Sequence, residues 1–313
     1  MKVLLAVSGG IDSMYMLHRA PELFPGASFA VAHCNFGLRG DESDGDEAFV
    51  RERCAALGIE CLVRRFDTAG YAAAGGVSIE MAARELRYCW FGSLAAELGF
   101  DAVATAHNAN DNAETLILNL LRGTGTKGLR GIPSSSVPCG AEPVRLIRPL
   151  LGISREDIHK WMEANGFEWR EDSTNAENEA RRNKIRNQVF PVFREINPSF
   201  IKTLGEDMER IRQTDDIADD YYRQTAGKIV TKKGNTLEIS VLPLMELKHW
   251  RYVLWRILED CSFSAETFAK LCSLLDRYHT EPLGTVTLSG KTFQAPGCTL
   301  KGRRKLLVLA KRL

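Results

Sequence analysis

Short apolar runs punctuate the first third of the chain at Val3–Val7, Phe29–His33, Glu60–Phe66 and Ala102–Ala106. Each is β-branched or aromatic in character and predicts a strand. Between them, apolar positions recur at helical spacing over Ser13–Leu23, Ser43–Leu57, Ile79–Leu98 and Asn112–Leu121. This alternation predicts an α/β fold, a parallel Rossmann-like sheet with helices on both faces. Ligands of such sheets sit beyond the carboxyl ends of the strands, so residues that directly follow a strand are the first candidates for chemistry. From Arg122 to Val137 the pattern breaks into a long loop rich in Gly, Ser, Thr and Pro. A weak strand, a helix over Ser154–Asn165, a polar stretch over Glu171–Asn187 and a long helical pattern near Pro198–Thr225 follow. Beyond them, Lys232-Lys233-Gly234-Asn235 predicts a turn in a smaller, mostly helical or α+β C-terminal domain. The boundaries expected are 1–215 and 216–313.

No apolar run reaches the roughly 18 to 20 residues of a membrane span. The first apolar run is too short for the core of a signal peptide, and Gly9-Gly10-Ile11-Asp12 interrupts it. The eight cysteines are dispersed with no C-x-x-C pair, which argues for free thiols in a reducing, cytoplasmic setting. The formal net charge of +1 conceals an asymmetry. Residues 1–120 carry 9 Lys/Arg against 16 Asp/Glu, net −7, and the remainder carries 32 against 24, net +8. The second part of the chain is therefore suited to an anionic partner.

Ser8-Gly9-Gly10-Ile11-Asp12-Ser13 follows the first strand and opens a helix. Glycines let the backbone approach an anion, and the N–H groups of a helix start complete a phosphate cradle. Asp12 would repel a phosphate directly, so its task there would be to hold a divalent cation that bridges phosphates. An ordinary strand-to-helix turn with Asp12 as cap is the simpler alternative. The hexapeptide resembles the PP-loop of the N-type ATP pyrophosphatases, which adenylate an oxygen and release pyrophosphate.

Further blocks narrow the resemblance. His33-Cys34-Asn35-Phe36-Gly37-Leu38-Arg39-Gly40-Asp41-Glu42-Ser43-Asp44-Gly45-Asp46 resembles the segment after the second strand of the tRNA(Ile)-lysidine synthetases. Glu80-x-x-x-Arg84-x-x-Arg87-Tyr88 is similar to their third helix, and Ala106-His107 with Asp111, Glu114 and Thr115 to the segment after their fourth strand. Arg148-Pro149-Leu150-Leu151, then Asp172-Ser173-Thr174-Asn175 with Arg182-Asn183-x-Ile185-Arg186, continue the match in order. Phe36, Asn108 and Asn110 depart from the family pattern, which often has histidines at the first two places and an aspartate at the third.

That resemblance implies an ATP-dependent ligase. The C2 oxygen of the wobble cytidine in an isoleucine tRNA with a CAU anticodon is adenylated. Free L-lysine then displaces AMP to give lysidine, changing decoding from AUG to AUA. It implies that Ser8, Gly9, Gly10, Ile11, Asp12 and Ser13 grip the pyrophosphate of ATP with Mg²⁺ on Asp12, and that His33 borders the adenosine. It implies a lysine site at Arg87, Asp111 and Glu114, and catalytic roles for Asp12, His107 and Asp111. Read without the resemblance, Asp111 and Glu114 share one helical face near its start, where acids also simply favour the helix dipole. Homodimerisation, known in the family, is an expectation, and members of the family are often longer, with a further C-terminal domain.

Gly123-Thr124-Gly125-Thr126-Lys127-Gly128 matches a dinucleotide fingerprint but follows a helix, which removes the context that motif needs. A loop bearing Lys127 and Arg130 and closing over the substrate nucleotide is the better expectation. Arg181, Arg182, Lys184 and Arg186 form one basic cluster, and Arg303 and Arg304 belong to a basic tail; both suit tRNA phosphates. Two other readings remain open: a tRNA thiolase of the same superfamily, against which the missing C-x-x-C pairs argue, and a non-catalytic nucleotide sensor or RNA-binding module, which leaves the acidic pair unexplained.

Overall fold

In a computed structural model of the chain, all residues are described except 138–143, 171–176, 283–284, 297 and 312–313. The Asp172-Ser173-Thr174-Asn175 block thus lies outside the described residues. The chain forms two compact units, Met1–Arg212 and Gln213–Leu313.

The first unit begins with β1 (Lys2–Ala6), α1 (Ile11–Leu23), β2 (Ser28–Asn35), α2 (Asp41–Ala56) and β3 (Glu60–Arg65). Next come α3 (Thr68–Gly75), α4 (Ile79–Leu98), β4 (Ala102–Ala104), α5 (Ala109–Arg122), α6 (Thr126–Leu129), β5 (Ser135–Ser136) and β6 (Arg145–Ile147). The unit ends with α7 (Arg155–Ala164), α8 (Glu177–Lys184), a π-helical turn over Ile185–Val189, α9 (Phe190–Ile196) and the first part of α10 (Phe200–Ile229). The sheet order is β3-β2-β1-β4-β6-β5, parallel throughout except for the β5–β6 pair.

β1, β2 and β4 are buried on both faces, which is why they read as continuous runs, while β3 at the sheet edge is at most half-buried. Val3, Leu5 and Val7 point into a core shared with Met14, Leu17, Val50, Ile158 and Met162 from α1, α2 and α7. Leu4, Ala30 and Ala32 point the other way, against Trp90, Phe91 and Ala95 of α4. The two-residue period of a strand thus feeds two cores, one on each face of the sheet. The expected parallel sheet with helices on both faces is the fold observed.

The loop expected over Arg122–Val137 contains the short α6 and one strand of the β5–β6 pair. Gly123 caps α5 with φ +78, so the G-x-G-x-x-G sequence ends a helix and does not follow a strand. The second unit contains the end of α10, β7 (Val230–Lys233), β8 (Thr236–Ser240), α11 (Val241–Met245), α12 (Trp250–Leu258), α13 (Ala265–Thr280), β9 (Thr292–Ala295), β10 (Cys298–Arg303) and β11 (Leu306–Lys311). Its antiparallel sheet, β7-β8-β11-β10-β9, packs Ile239, Leu300, Leu307 and Leu309 with Val253, Leu254 and Leu275 of the helices. Gly234 turns β7 into β8 with φ +55, at the turn the sequence predicts.

Candidate active site

The loop after β1 is held by its own side chains. The Ser13 hydroxyl accepts N–H bonds from Ser8 and Gly9, both 3.2 Å, and donates to the Gly10 carbonyl at 2.8 Å. Gly9 supplies φ +97, a conformation that disfavours any side chain. The Arg170 N–H closes the outside of the loop on the Gly9 carbonyl at 2.9 Å. Ser8, Gly10, Ile11, Asp12 and Ser13 line a cavity of about 770 Å³ at the carboxyl ends of β1, β2 and β4. Gly9 braces this wall from behind.

The same cavity receives the start of α5, and Asn108 builds that start. Its Oδ1 accepts the N–H groups of Asn110 at 2.9 Å and Asp111 at 3.0 Å. Asp111 returns the favour by accepting the Asn108 N–H at 3.1 Å, a complete capping box. Asn108 Nδ2 also donates to Asp12 Oδ1 at 3.0 Å, tying the β1–α1 loop to α5. Burial, partly offset by the Asn108 bond and reinforced by the Asp111 charge, raises the Asp12 pKa above the ordinary carboxylate value. Among the described residues Asp12 forms no ion pair.

Beyond Asp111 the structure departs from the expected site. Glu114 is fully buried and does not line the cavity; Arg186 Nε reaches its Oε1 at 2.5 Å and Nη2 its Oε2 at 3.1 Å. Nη2 also lies 3.4 Å from Asp111 Oδ1. Arg186 thus enters the cavity wall from the π-helical turn and pairs with both acids. Pro191, just beyond that turn, has no N–H to continue an α-helical register, and such turns recur at functional sites. The other members of its cluster remain outside, with Arg181 and Lys184 exposed and Arg182 half-buried on α8.

His107 lines the cavity, with Nδ1 3.1 Å from the Thr105 hydroxyl. Burial lowers its pKa to about 4, against the nearby Asp111 charge, and three arginines (Arg148, Arg182 and Arg84) add to the lowering. Arg87 also lines it, its guanidinium 5.1 Å from the Phe36 ring. His33 does not: it is buried with Nδ1 2.9 Å from the Val7 carbonyl, and at this edge the cavity is lined by Cys34 and Phe36. Burial pushes the Cys34 thiol up to about 12, which keeps it a protonated, unreactive wall.

Matching residues 1–193, the PP-loop domain family covers the whole of this cavity's sheet. The tRNA(Ile)-lysidine synthase of Bacteroides thetaiotaomicron is 37% identical over 311 residues, 98% of this chain and 67% of its own. The chain belongs to this family. The Chlorobaculum tepidum relative is 48% identical over 217 residues, covering 67% of this chain and 61% of its own. That of Porphyromonas gingivalis is 38% identical over 274 residues, covering 88% and 58% respectively. The chain thus spans between 58% and 67% of the length of these curated relatives. Among solved structures, the U34-tRNA thiolase NcsA from Methanococcus maripaludis has a TM-score of 0.55 at 20% identity, covering 67% of this chain and 72% of that one, which shows the shared fold.

The three places where the sequence departs from the family pattern are all structurally engaged. Asn108 caps α5 and bonds Asp12, Phe36 lies beneath Arg87, and Asn110 Oδ1 accepts the Arg155 N–H at 3.0 Å. Arg155, His159, Trp169 and Arg170 also line the cavity and carry no motif that the sequence alone would flag. Only their position after a helix start or in a short polar stretch distinguished them. Lys127 and Arg130 lie in and just after α6, and Arg303 and Arg304 lie at the β10–β11 turn of the second unit. Among the described residues no helix is long and apolar enough to cross a membrane.

Proposed function

We propose that this chain joins free L-lysine to C2 of the wobble cytidine of an isoleucine tRNA with a CAU anticodon, through an adenylated tRNA, releasing pyrophosphate and then AMP. One observation carries the reading: a phosphate-type loop and an acidic helix start open into the same cavity and are tied together by the Asn108–Asp12 bond. A cavity of this kind can bring a nucleoside triphosphate and a cationic amino acid to one reaction centre. That the relatives are tRNA(Ile)-lysidine synthases supports the choice of substrates.

The residues fit a role for Mg²⁺. Asp12 is a desolvated carboxylate without a cationic partner among the described residues, beside a loop suited to phosphates. No group of three or more described His, Cys, Asp or Glu residues could cage a metal ion. This suits a cation held by one carboxylate and the phosphates of ATP. Asp12 would hold Mg²⁺, which would supply charge neutralisation for the phosphates. Ser8, Gly10 and the start of α1 hold the phosphates, while Asp12 keeps its carboxylate in place through Asn108.

Asp111 and Glu114 together carry two negative charges and Arg186 one positive, leaving one net charge to receive one lysine ammonium. Because Glu114 is fully buried, Asp111 is the acid that meets lysine. The amine attacks only after losing a proton. His107, uncharged near neutrality, orients cytidine or adenylate without repelling the approaching cation. Incubation with ATP, labelled lysine and that tRNA is the test. Lysine incorporation that requires all three is expected; pyrophosphate release indifferent to the tRNA would overturn the reading. The cytoplasmic location and a homodimer are parts of the same proposal, the latter checked by light scattering.

A further inference from the structure

We propose that Arg84, Arg148 and Arg182 form a phosphodiester-binding cluster beside His107 that clamps the RNA backbone next to the nucleotide being modified. The inference rests on the reading of an RNA as the substrate and adds a binding site to it.

The three guanidiniums come from three separate segments: α4, the residue after β6, and α8. Arg148 follows β6, which pairs with β4 just before His107, and Arg182 lies four residues before Arg186, which reaches Asp111. Tyr88, which lines the cavity, links Arg84 to it: the Arg84 guanidinium lies 4.9 Å from the centre of the Tyr88 ring. Arg84, Arg87 and Tyr88 fall at i, i+3 and i+4 on α4, so one helical face serves both cluster and cavity. Arg148 is fixed by bonds from Nη1 to the Pro133 carbonyl at 2.7 Å and to the Ser136 hydroxyl at 3.2 Å. Its Nε is buried without a partner.

Charge makes the arrangement unusual. Among the described residues no carboxylate pairs with Arg84, Arg148 or Arg182, whereas the half-buried Arg19, Arg39, Arg53, Arg186 and Arg212 each have one. Burial, with the Arg84 charge adding to it, lowers the Arg148 pKa. Holding like charges together costs free energy that an arriving anion would relieve. Planar guanidiniums offer forked donors to phosphate oxygens. ATP phosphates already have the loop after β1, and the nucleotide presented to that loop would bring its own phosphodiesters with it.

The experiment uses the full chain and the unmodified isoleucine tRNA with a CAU anticodon. Affinity is measured without ATP or lysine over a range of KCl concentrations, for the wild type, Arg84→Gln and Arg148→Gln. Arg84 is exposed and makes no hydrogen bond with a described residue, so Arg84→Gln keeps the question open if Arg148→Gln unfolds. Each variant is expected to bind the tRNA roughly tenfold more weakly at moderate salt. The log–log salt slope should shrink by about 0.7 to 0.9 for one lost phosphate contact. The KM for ATP should stay within about twofold, as expected for a contact outside the nucleotide site. Unchanged affinity and slope would mean the cluster is structural, and a raised ATP KM with normal tRNA affinity would reassign it to a nucleotide phosphate; either overturns the proposal. If the wild type itself neither binds this tRNA nor incorporates lysine, the proposed function fails instead.

Discussion

Two side chains in the cavity turn burial into measurable behaviour. His107 has a folded pKa of about 4 against an ordinary value near 6.5, chiefly from burial. Below the ordinary value the unfolded chain binds the proton that the folded chain refuses, so stability falls as pH drops from about 6.5 towards 4. His107→Gln should flatten that part of the stability–pH curve, as read by thermal melts across the window. Arg186 acts in the opposite sense. Removing it strands Glu114, whose pKa burial already raises. Arg186→Met should cost roughly 3 kcal/mol near pH 8, the low end for breaking a buried pair because Arg186 is 32% exposed. A carboxyl with a raised folded pKa is more stable at low pH, so the loss should shrink towards pH 5. An equal loss at both pH values would mean that Glu114 is already protonated. Asp12 was legible in sequence because it follows the first strand of a parallel sheet, and Asp111 and His107 because their segment resembles that of a family. Arg186 was not: within a run of arginines and lysines it resembles a solvated face, and its partner Glu114 lies 72 residues away.

At the scale of elements, legibility followed the pattern of apolar positions. The helix expected over Ile79–Leu98 has those bounds, with Ser78 accepting the Met81 N–H as its cap. The helix Thr68–Gly75 was not foreseen, because a run of alanines and glycines has no apolar period to read. The glycine-rich stretch after α5 was foreseen as irregular but not as anchored. Its anchor is Gly131, with φ +70; a Cβ there would meet Asn112 Oδ1 and Met208 Sδ. The Asn112 oxygen is needed, since it accepts the Ile132 N–H at 2.6 Å. Gly131→Ala should therefore cost roughly 1–2 kcal/mol from the backbone and a further 1–3 kcal/mol or so from crowding. Denaturant unfolding gives the total, and a cost below about 1 kcal/mol would show that the segment can move aside. The acidic start of α5 yields a functional expectation at this scale too. Asp111→Asn keeps a capping side chain but removes the charge, so it should raise the KM for lysine more than that for ATP. Equal effects on both would make the acid structural.

For the whole molecule, the near-zero net charge resolves along its own structural division. Met1–Arg212 carries 25 Lys/Arg and 29 Asp/Glu, net −4, and Gln213–Leu313 carries 16 and 11, net +5. In the second unit the strand period sorts these charges. Cys298, Leu300 and Gly302 of β10 are buried, whereas Thr299, Lys301 and Arg303 face outward with Thr236, Thr292 and Gln294 on the open side of the sheet. Arg304, at φ +49, turns the chain beside them. A sheet face that combines cations with hydroxyl and amide groups suits a polyanion, because the cations supply affinity and the neutral donors add directional bonds. The double substitution Lys301→Gln and Arg303→Gln alters no buried position, so folding should be unaffected. It should weaken tRNA binding, with the log–log salt slope reduced by about 1.4 to 1.8 if each cation meets one phosphate. The KM values for ATP and lysine should hold, since both sites are assigned to residues of the first unit. A slope unchanged by the double substitution would remove this face from the tRNA surface and leave the first unit to account for RNA affinity despite its net negative charge.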